Sequence, residues 1–412
     1  TDPMMGYISD NTRSRWGRRR PYIFIGAILA GIVFATMWQT QPGKSDMFYV
    51  WFYLAAFIIF FITYTIYATP FVAFGYEMTP DYNERTRLHA FANTAGQFAW
   101  ISIPWFWAFI ASKRFDGPAE GASVLALGIG IAVIVLGVIP AIFCRERSVA
   151  KPADTPGPRK SGVAANMAEF FKGLTTTMKR KPFVKLCAAT FLVFGGFMLA
   201  SQYDLYVIRY YVFGGEDGPA GKLFGTYGTT TALCTIGVIM LTAVLAKRMG
   251  KREAFRLTIG ISVVGYGLKW IGYSPETPYL LLISAPLVAF GTGSLFTLMG
   301  SMISDVCDDD ELHTGQRREG TFGAIYWWMV KVGMALAALL GGILLKQSGF
   351  DVELGGDQTE SALFYIRLFN VAIPMATSAI AIAVMWRYEI TESSANDTRQ
   401  QLETRRGKLA QS

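Results

Sequence analysis

Long apolar runs recur along the chain, each ended by a short polar stretch. They fall at roughly 21–38, 47–75, 92–111, 122–144, 182–208, 223–245, 254–274, 278–303, 321–345 and 362–386. A helix needs about 20 mostly apolar residues to cross a bilayer. Each run meets that length or comes close to it. Hydrocarbon cannot satisfy an open sheet edge, so the spans are helices. The pattern therefore predicts an all-α polytopic membrane protein with ten complete spans. Residues 1–9 read as the last turns of one more span. The expectation is that one helix and the first half of the next precede Thr1.

Composition supports a membrane protein. The chain is 52% hydrophobic and 17% charged, whereas soluble domains carry about 25% charge. The net charge is +8, and five arginines fall between Arg13 and Arg20. Such a cluster first suggests nucleic acid, but the basic residues sort by loop instead. Of 38 Lys and Arg, 29 lie in alternate loops, five in the remaining loops and four inside spans. Basic loops stay on the cytoplasmic side. The expectation is a multi-pass protein of the cell (inner) membrane, with loops at 9–20, 79–90, 145–181, 247–256 and 306–320, and the C-terminal tail, in the cytoplasm. No nucleic-acid partner is expected. Cys144, Cys187, Cys234 and Cys307 are scattered with no C-x-x-C, which reads as ordinary thiols.

The longest connection, "CRERSVAKPADTPGPRKSG", is rich in Pro, Gly and charge, as a linker is. The following "AANMAEFFKGLTTTMKRKPF" has the pattern of a short amphipathic helix on a membrane surface. The predicted organisation is an N-terminal helix bundle at 1–144, a cytoplasmic linker at 145–181, a C-terminal helix bundle at 182–390 and a tail at 391–412. The two bundles share a repeat. Arg15-Trp16-Gly17-Arg18-Arg19 recurs as Arg248-Met249-Gly250-Lys251-Arg252, 233 positions later. Asp81, Glu84, Arg85 and Arg87 recur as Asp309, Asp310, Glu311, Arg317 and Arg318 at a similar offset. Duplicated halves imply six helices each in the intact protein, with cargo bound near the midplane.

"DPMMGYISDNTRSRWGRRRP", "EMTPDYNERTRL" and "SDVCDDDELHTGQRREGTFGAIYWWMVKVG" together resemble the glycoside–pentoside–hexuronide:cation symporters of the major facilitator superfamily, the family of melibiose permease. The resemblance covers the whole chain. It implies a major facilitator fold of two pseudo-repeated six-helix bundles, here lacking helix I and the first half of helix II. It also implies a secondary transporter, not an enzyme. The cargo would be a small sugar or glycoside, coupled to Na⁺ or H⁺, with no other cofactor and a single chain acting alone in the lipid bilayer.

Ionisable groups at bilayer depth are costly and usually functional. Asp2 lies about 12 Å in from the basic end of its helix, at 1.5 Å per residue. Lys331 lies about 15 Å deep by the same arithmetic. An anion at that depth can hold a monovalent cation, and a lysine can donate to hydroxyls or act as counter-charge. The resemblance places Asp2 at a cation site, with Na⁺ there the only metal expected, and Lys331 near cargo and cation. "TYTIYATPF" is similar to the family's helix IV, which puts Tyr64 on the cargo and Thr65 at the cation. Two departures matter: the family's sugar-binding aspartate falls at Ala68, and a sugar-contacting arginine falls at His89. His89 then reads as a cargo ligand or a helix-end residue. Trp327, in the Tyr326-Trp327-Trp328 run, could stack on a sugar ring or simply pack.

Asp10, Arg15, Gly17 and Arg18 read as a latch at the basic end, or as a constitutive surface ion pair. Asp204 and Arg209, amid four tyrosines, read as a gate or as interfacial anchoring. For Lys269 and Arg367 the expectation is snorkelling, with the stem in lipid and the charge at the interface. A different solute, such as a drug, lipid or amino-acid-like molecule, remains the alternative cargo, since Ala68 removes a sugar-binding carboxylate. No H-E-x-x-H and no G-x-x-x-x-G-K-[ST] occurs, which argues against a metalloenzyme or ATP-driven pump.

Overall fold

The computed structural model describes the chain apart from residues 1–3, 6–7, 10–11, 13, 41–42, 78–81, 145–176, 315–318 and 411–412, together with the side chains of 76–77, 82–94, 97, 319–321, 324, 399, 403 and 405–410. Among the described residues the regular structure is helical, with eleven α-helices. They are α1 (Arg20–Met37), α2 (Asp46–Glu77), α3 (Tyr82–Ile110), α4 (Pro118–Phe143), α5 (Lys181–Tyr206), α6 (Asp217–Met249), α7 (Lys251–Gly272), α8 (Ala285–Thr314), α9 (Glu319–Gln347), α10 (Glu360–Trp386) and α11 (Glu392–Ala410). All ten expected spans are helices, and eight stretches are long and apolar enough to cross a membrane. The other two are in α3, whose apolar part is the shorter Phe98–Ile110, and α7, which carries Lys251, Arg252, Glu253, Arg256 and Lys269. The expected amphipathic segment after the linker lies mostly outside the described residues. The tail holds the helix α11, with Leu402 buried.

The chain divides into two compact units. The first comprises residues 1–99 and 109–169, the second 100–108 and 170–412. In the first, α1 packs between α2 and α4. Its inner face is Ile23, Gly26, Ala27, Ala30 and Gly31, all buried. Small residues let helix backbones approach where no hydrophobic force drives them together in lipid. A Cβ on Gly26 would fall 2.6 Å from Tyr67 N, and one on Gly31 2.6 Å from Gly130 O. The first contact fixes where α2 crosses α1, and so places the segment that holds Tyr64 and Thr65.

In the second unit α7 packs on α8 and α10, the same relation α1 has to α2 and α4. The sequence repeat is thus a structural one. Its two glycines share a left-handed backbone, φ 103° at Gly17 and 81° at Gly250, just before α1 and α7. The nearby arginines also act alike. Arg20 Nε and Nη2 donate to Ala141 O (2.6 Å) and Ile142 O (2.9 Å) at the end of α4. Arg252 Nη1 donates to Tyr388 O (3.3 Å), just past the end of α10. Arg20 satisfies terminal carbonyls that α4 itself leaves unpaired, and Arg252 satisfies a carbonyl of the turn that follows α10. Two apolar clusters fill the second unit, one around Phe183, Phe255 and Met299, the other around Tyr203, Ile208 and Leu223.

Candidate functional site

In the first unit, α2 carries Tyr64 and Thr65 on different faces. Tyr64 is 47% exposed and its ring stacks on Phe60 at 6.1 Å; Thr65 is buried. Ala68, one turn on from Tyr64, is half-buried. His89 lies in α3, and its side chain lies outside the described residues. So do Asp2 and Asp10 entirely. The latch reading is therefore seen only from its basic side. Arg15 is exposed, Arg18 is half-buried, and Gly17 turns the chain between them while Ser14 Oγ donates to Gly17 O (2.5 Å).

In the second unit, α9 presents Trp327 and Lys331 one turn apart on an exposed face. Residues four apart on a helix are neighbours. Trp327 is 55% exposed and stacks nearly parallel on Phe296 of α8, with ring centroids 6.0 Å apart and planes 9° apart. Behind it Tyr326 is buried, with Thr190 Oγ1 donating to its hydroxyl at 3.3 Å. Tyr326 thus packs in the core, while Trp327 packs on Phe296 and keeps an exposed surface.

A buried charge cluster of this unit lies within the spans. Lys269 does not snorkel; it is fully buried and ion-paired with Asp204. Asp204 Oδ1 also accepts from Tyr273 Oη (2.9 Å) and Asn370 Nδ2 (2.6 Å). Asn370 Nδ2 donates onward to Ala200 O (2.8 Å). The rings of Tyr227 and Tyr273 flank the ammonium at 5.6 and 5.7 Å. A charge so placed must be paired, because an uncompensated one at this depth is prohibitive. The snorkelling expectation failed because the partners come from α5 and α10, far away in sequence. The signal was the uncancelled Asp204 in an otherwise apolar span.

Arg367 does not snorkel freely either. It donates to Tyr211 Oη (2.7 Å) and to Trp270 O, with the guanidinium 4.1 Å over the Trp270 ring. Asp204 and Arg209 belong to separate pairs. After Tyr206 the chain widens into a π-helical turn, Val207–Val212, which turns Arg209 toward Asp217 (2.5 Å) and the rings of Trp107 and Tyr210.

Beyond the spans of this unit, α5, α7, α8 and the end of α10 are tied by ion pairs: Arg180 to Asp310 (2.8 Å), Lys251 to Asp305 (2.5 Å) and Lys185 to Glu389 (2.6 Å). Tyr388 is buried against them. Burial, then Asp305, Glu389 and Asp309, push its phenol well above the ordinary tyrosine range.

A family model described as MFS/sugar transport protein matches residues 1–392. The chain belongs to this family. The MFS/sugar transport proteins are transporters, so the chain is a membrane transporter and not an enzyme. The isoprimeverose transporter of Lactiplantibacillus pentosus is 23% identical over 395 residues, 94% of this chain and 77% of that one. The glucuronide carrier protein homolog of Escherichia coli (strain K12) is 22% identical over 417 residues, 98% of this chain and 84% of that one. Among solved structures, the chain is similar to the nucleoside transporter NupG, with a TM-score of 0.55 and 14% identity, covering 94% of this chain and 87% of that one. At that identity the likeness concerns the fold, which is the major facilitator fold expected from the sequence.

Proposed function

We propose that the protein is a cation-coupled symporter that takes up a sugar or glycoside by alternating access. The observation that carries this reading is the exposed Trp327–Lys331 face within a member of the MFS/sugar transport family. A ring face with an ammonium one turn away suits a sugar: the ring covers apolar C–H edges, and the ammonium has three donors for hydroxyl oxygens or a carboxylate. A cation on the exposed side of a span faces water or a polar partner, not hydrocarbon. The family resemblance adds Tyr64 as a cargo ligand, with His89 where the family has a sugar-contacting arginine. Thr65 and Asp2 make the cation site, with Na⁺ or H⁺ as coupling ion. The relatives' names cover a neutral disaccharide and an acidic glycoside. Lys331, with Ala68 in place of a carboxylate, favours the acidic class over melibiose for this chain. The protein works as a monomer in the inner membrane, with its arginine-rich loops in the cytoplasm.

The test is uptake of a radiolabelled glycoside panel into proteoliposomes holding the intact protein, with an imposed Na⁺ or pH gradient. Accumulation should follow one of the two gradients. In Asp2→Asn it should vanish, while equilibrium binding of the same glycoside weakens less. Gradient-driven accumulation that survives in Asp2→Asn would remove Asp2 from coupling. Accumulation of a non-sugar solute alone would replace the cargo.

A further inference from the structure

The buried cluster of the second unit leaves one oxygen without a partner. Every hydrogen bond that Asp204 receives through its side chain, from Lys269, Tyr273 and Asn370, arrives at Oδ1. Oδ2 accepts none among the described residues. The Asp204 side chain keeps 12% of its surface exposed, while that of Lys269 keeps 2%. Hydrocarbon offers a carboxylate oxygen no donor, so the exposed part of this side chain is suited to a polar group. Three donors, Lys269 on α7, Tyr273 just after it and Asn370 on α10, clamp the other oxygen, so Oδ2 is fixed before any ligand arrives. Preorganisation of this kind lowers the ordering cost of binding.

Charge decides what Oδ2 can take. Asp204 and Lys269 sum to zero. A metal cation would put a second positive charge beside the Lys269 ammonium, and a carboxylate or phosphate would meet the Asp204 oxygen itself. A neutral hydroxyl donor meets neither penalty, and its bond to an ionised acceptor is of the strong, charge-assisted kind. The local backbone fits a binding role. The helix leaves α geometry just after this point, at the π-helical turn Val207–Val212, and π segments occur frequently at functional sites. The first unit has no carboxylate at Ala68 to do the same job.

We propose that Asp204 Oδ2 is a cargo subsite that accepts a hydrogen bond from a neutral hydroxyl of the sugar, held in position by Lys269, Tyr273 and Asn370. This rests on the sugar-transport reading above.

The experiment is equilibrium binding to the full chain in lipid nanodiscs. The panel is isoprimeverose, methyl β-glucuronide, methyl β-xyloside, methyl α-glucoside and melibiose, with the mono-deoxy analogues of each sugar that binds. Wild type is compared with Asp204→Asn/Lys269→Met, which keeps the cluster neutral. The double variant should bind the parent sugar about tenfold more weakly or worse. One deoxy analogue should bind both proteins equally, because the hydroxyl it lacks is the one Asp204 holds. A purely structural role would not single out one hydroxyl. Equal affinity of both proteins for the parent sugar overturns the subsite and leaves the sugar reading standing. No binding of any panel member to wild type overturns both. If the double variant fails to fold, Asp204→Glu takes its place; it keeps the charge pair and moves the oxygen by one methylene, and the same deoxy comparison decides.

Discussion

Lys269 is satisfied by one carboxylate and two tyrosine faces, so its removal leaves a charge behind. Lys269→Met strips Asp204 of its counter-ion inside a span and should cost about 3–5 kcal/mol, the usual price of breaking a buried pair from one side. Asp204→Asn in the same chain should restore most of that, because the cluster is again neutral. Thermal unfolding in detergent checks both, and a double variant no more stable than Lys269→Met would refute the pairing argument. Tyr388 carries the opposite lesson. Its hydroxyl is buried and has no hydrogen-bond partner among the described residues. Tyr388→Phe should therefore hold or raise the melting point at neutral pH. The folded phenol titrates above the unfolded value of about 10, so its stabilising share is full below that pH and fades as pH rises past it. Melting points from pH 8 to 11 should fall less steeply in Tyr388→Phe than in wild type. A parallel decline would mean that this phenol does not contribute. At this scale the sequence marked Asp204 and Arg209 as charges in need of partners but identified neither partner, the near one or the distant one. Asp217 lies eight residues from Arg209, while Asn370 lies 166 from Asp204, and no local pattern links residues so far apart.

Helices α1, α2 and α4 meet through missing side chains. A Cβ on Gly130 would fall 2.7 Å from Gly31 O and 2.8 Å from Ala35 Cβ, whereas one on Gly128 would meet nothing within 4 Å. Two glycines two residues apart on α4 should thus respond in opposite directions. Gly130→Ala forces the backbones apart and should destabilise by about 1–3 kcal/mol, the usual cost of overpacking. Gly128→Ala adds no clash and gains about 0.5–1 kcal/mol from the intrinsic preference of a helix for alanine. Melting points moving the same way would show that α1 and α4 are not in close contact. The signal for this crossing was present in the sequence, as Ala27 and Gly31 or Gly26 and Ala30 spaced four apart, the small-residue motif of membrane helix pairs. The π-helical turn after Tyr206 had no such signal. The apolar run ends at residue 208, and nothing in the residues around it marks the change from α to π geometry.

At the scale of the molecule, the chain repeats one design. A left-handed glycine precedes the third helix of each half in the family's order, and an arginine then reaches carbonyls at the end of that half's last helix. The offset of 233 residues was readable because a left-handed glycine and a basic pair are local requirements that survive divergence. The adjacency of α7 with α8 and α10 was not readable, since apolar faces look alike from any side. The same basic residues predict how the protein sits. A split of 29 to five is far from even, and basic loops resist crossing to the outside. The connections on either side of each helix must therefore respond differently to a membrane-impermeant maleimide. In intact cells, with Cys144, Cys187, Cys234 and Cys307 replaced, Ser45→Cys and Glu276→Cys should label from outside. Both positions are exposed and lie in loops poor in Lys and Arg. Ser14→Cys and Ser393→Cys, also exposed, should label only after the cells are permeabilised. The ion-paired ends of α5, α7 and α8 are expected on the same side as Ser14 and Ser393, since they lie by the other basic loops. Labelling of Ser14→Cys in intact cells would invert the topology and, with it, the side on which any latch around Arg18 acts.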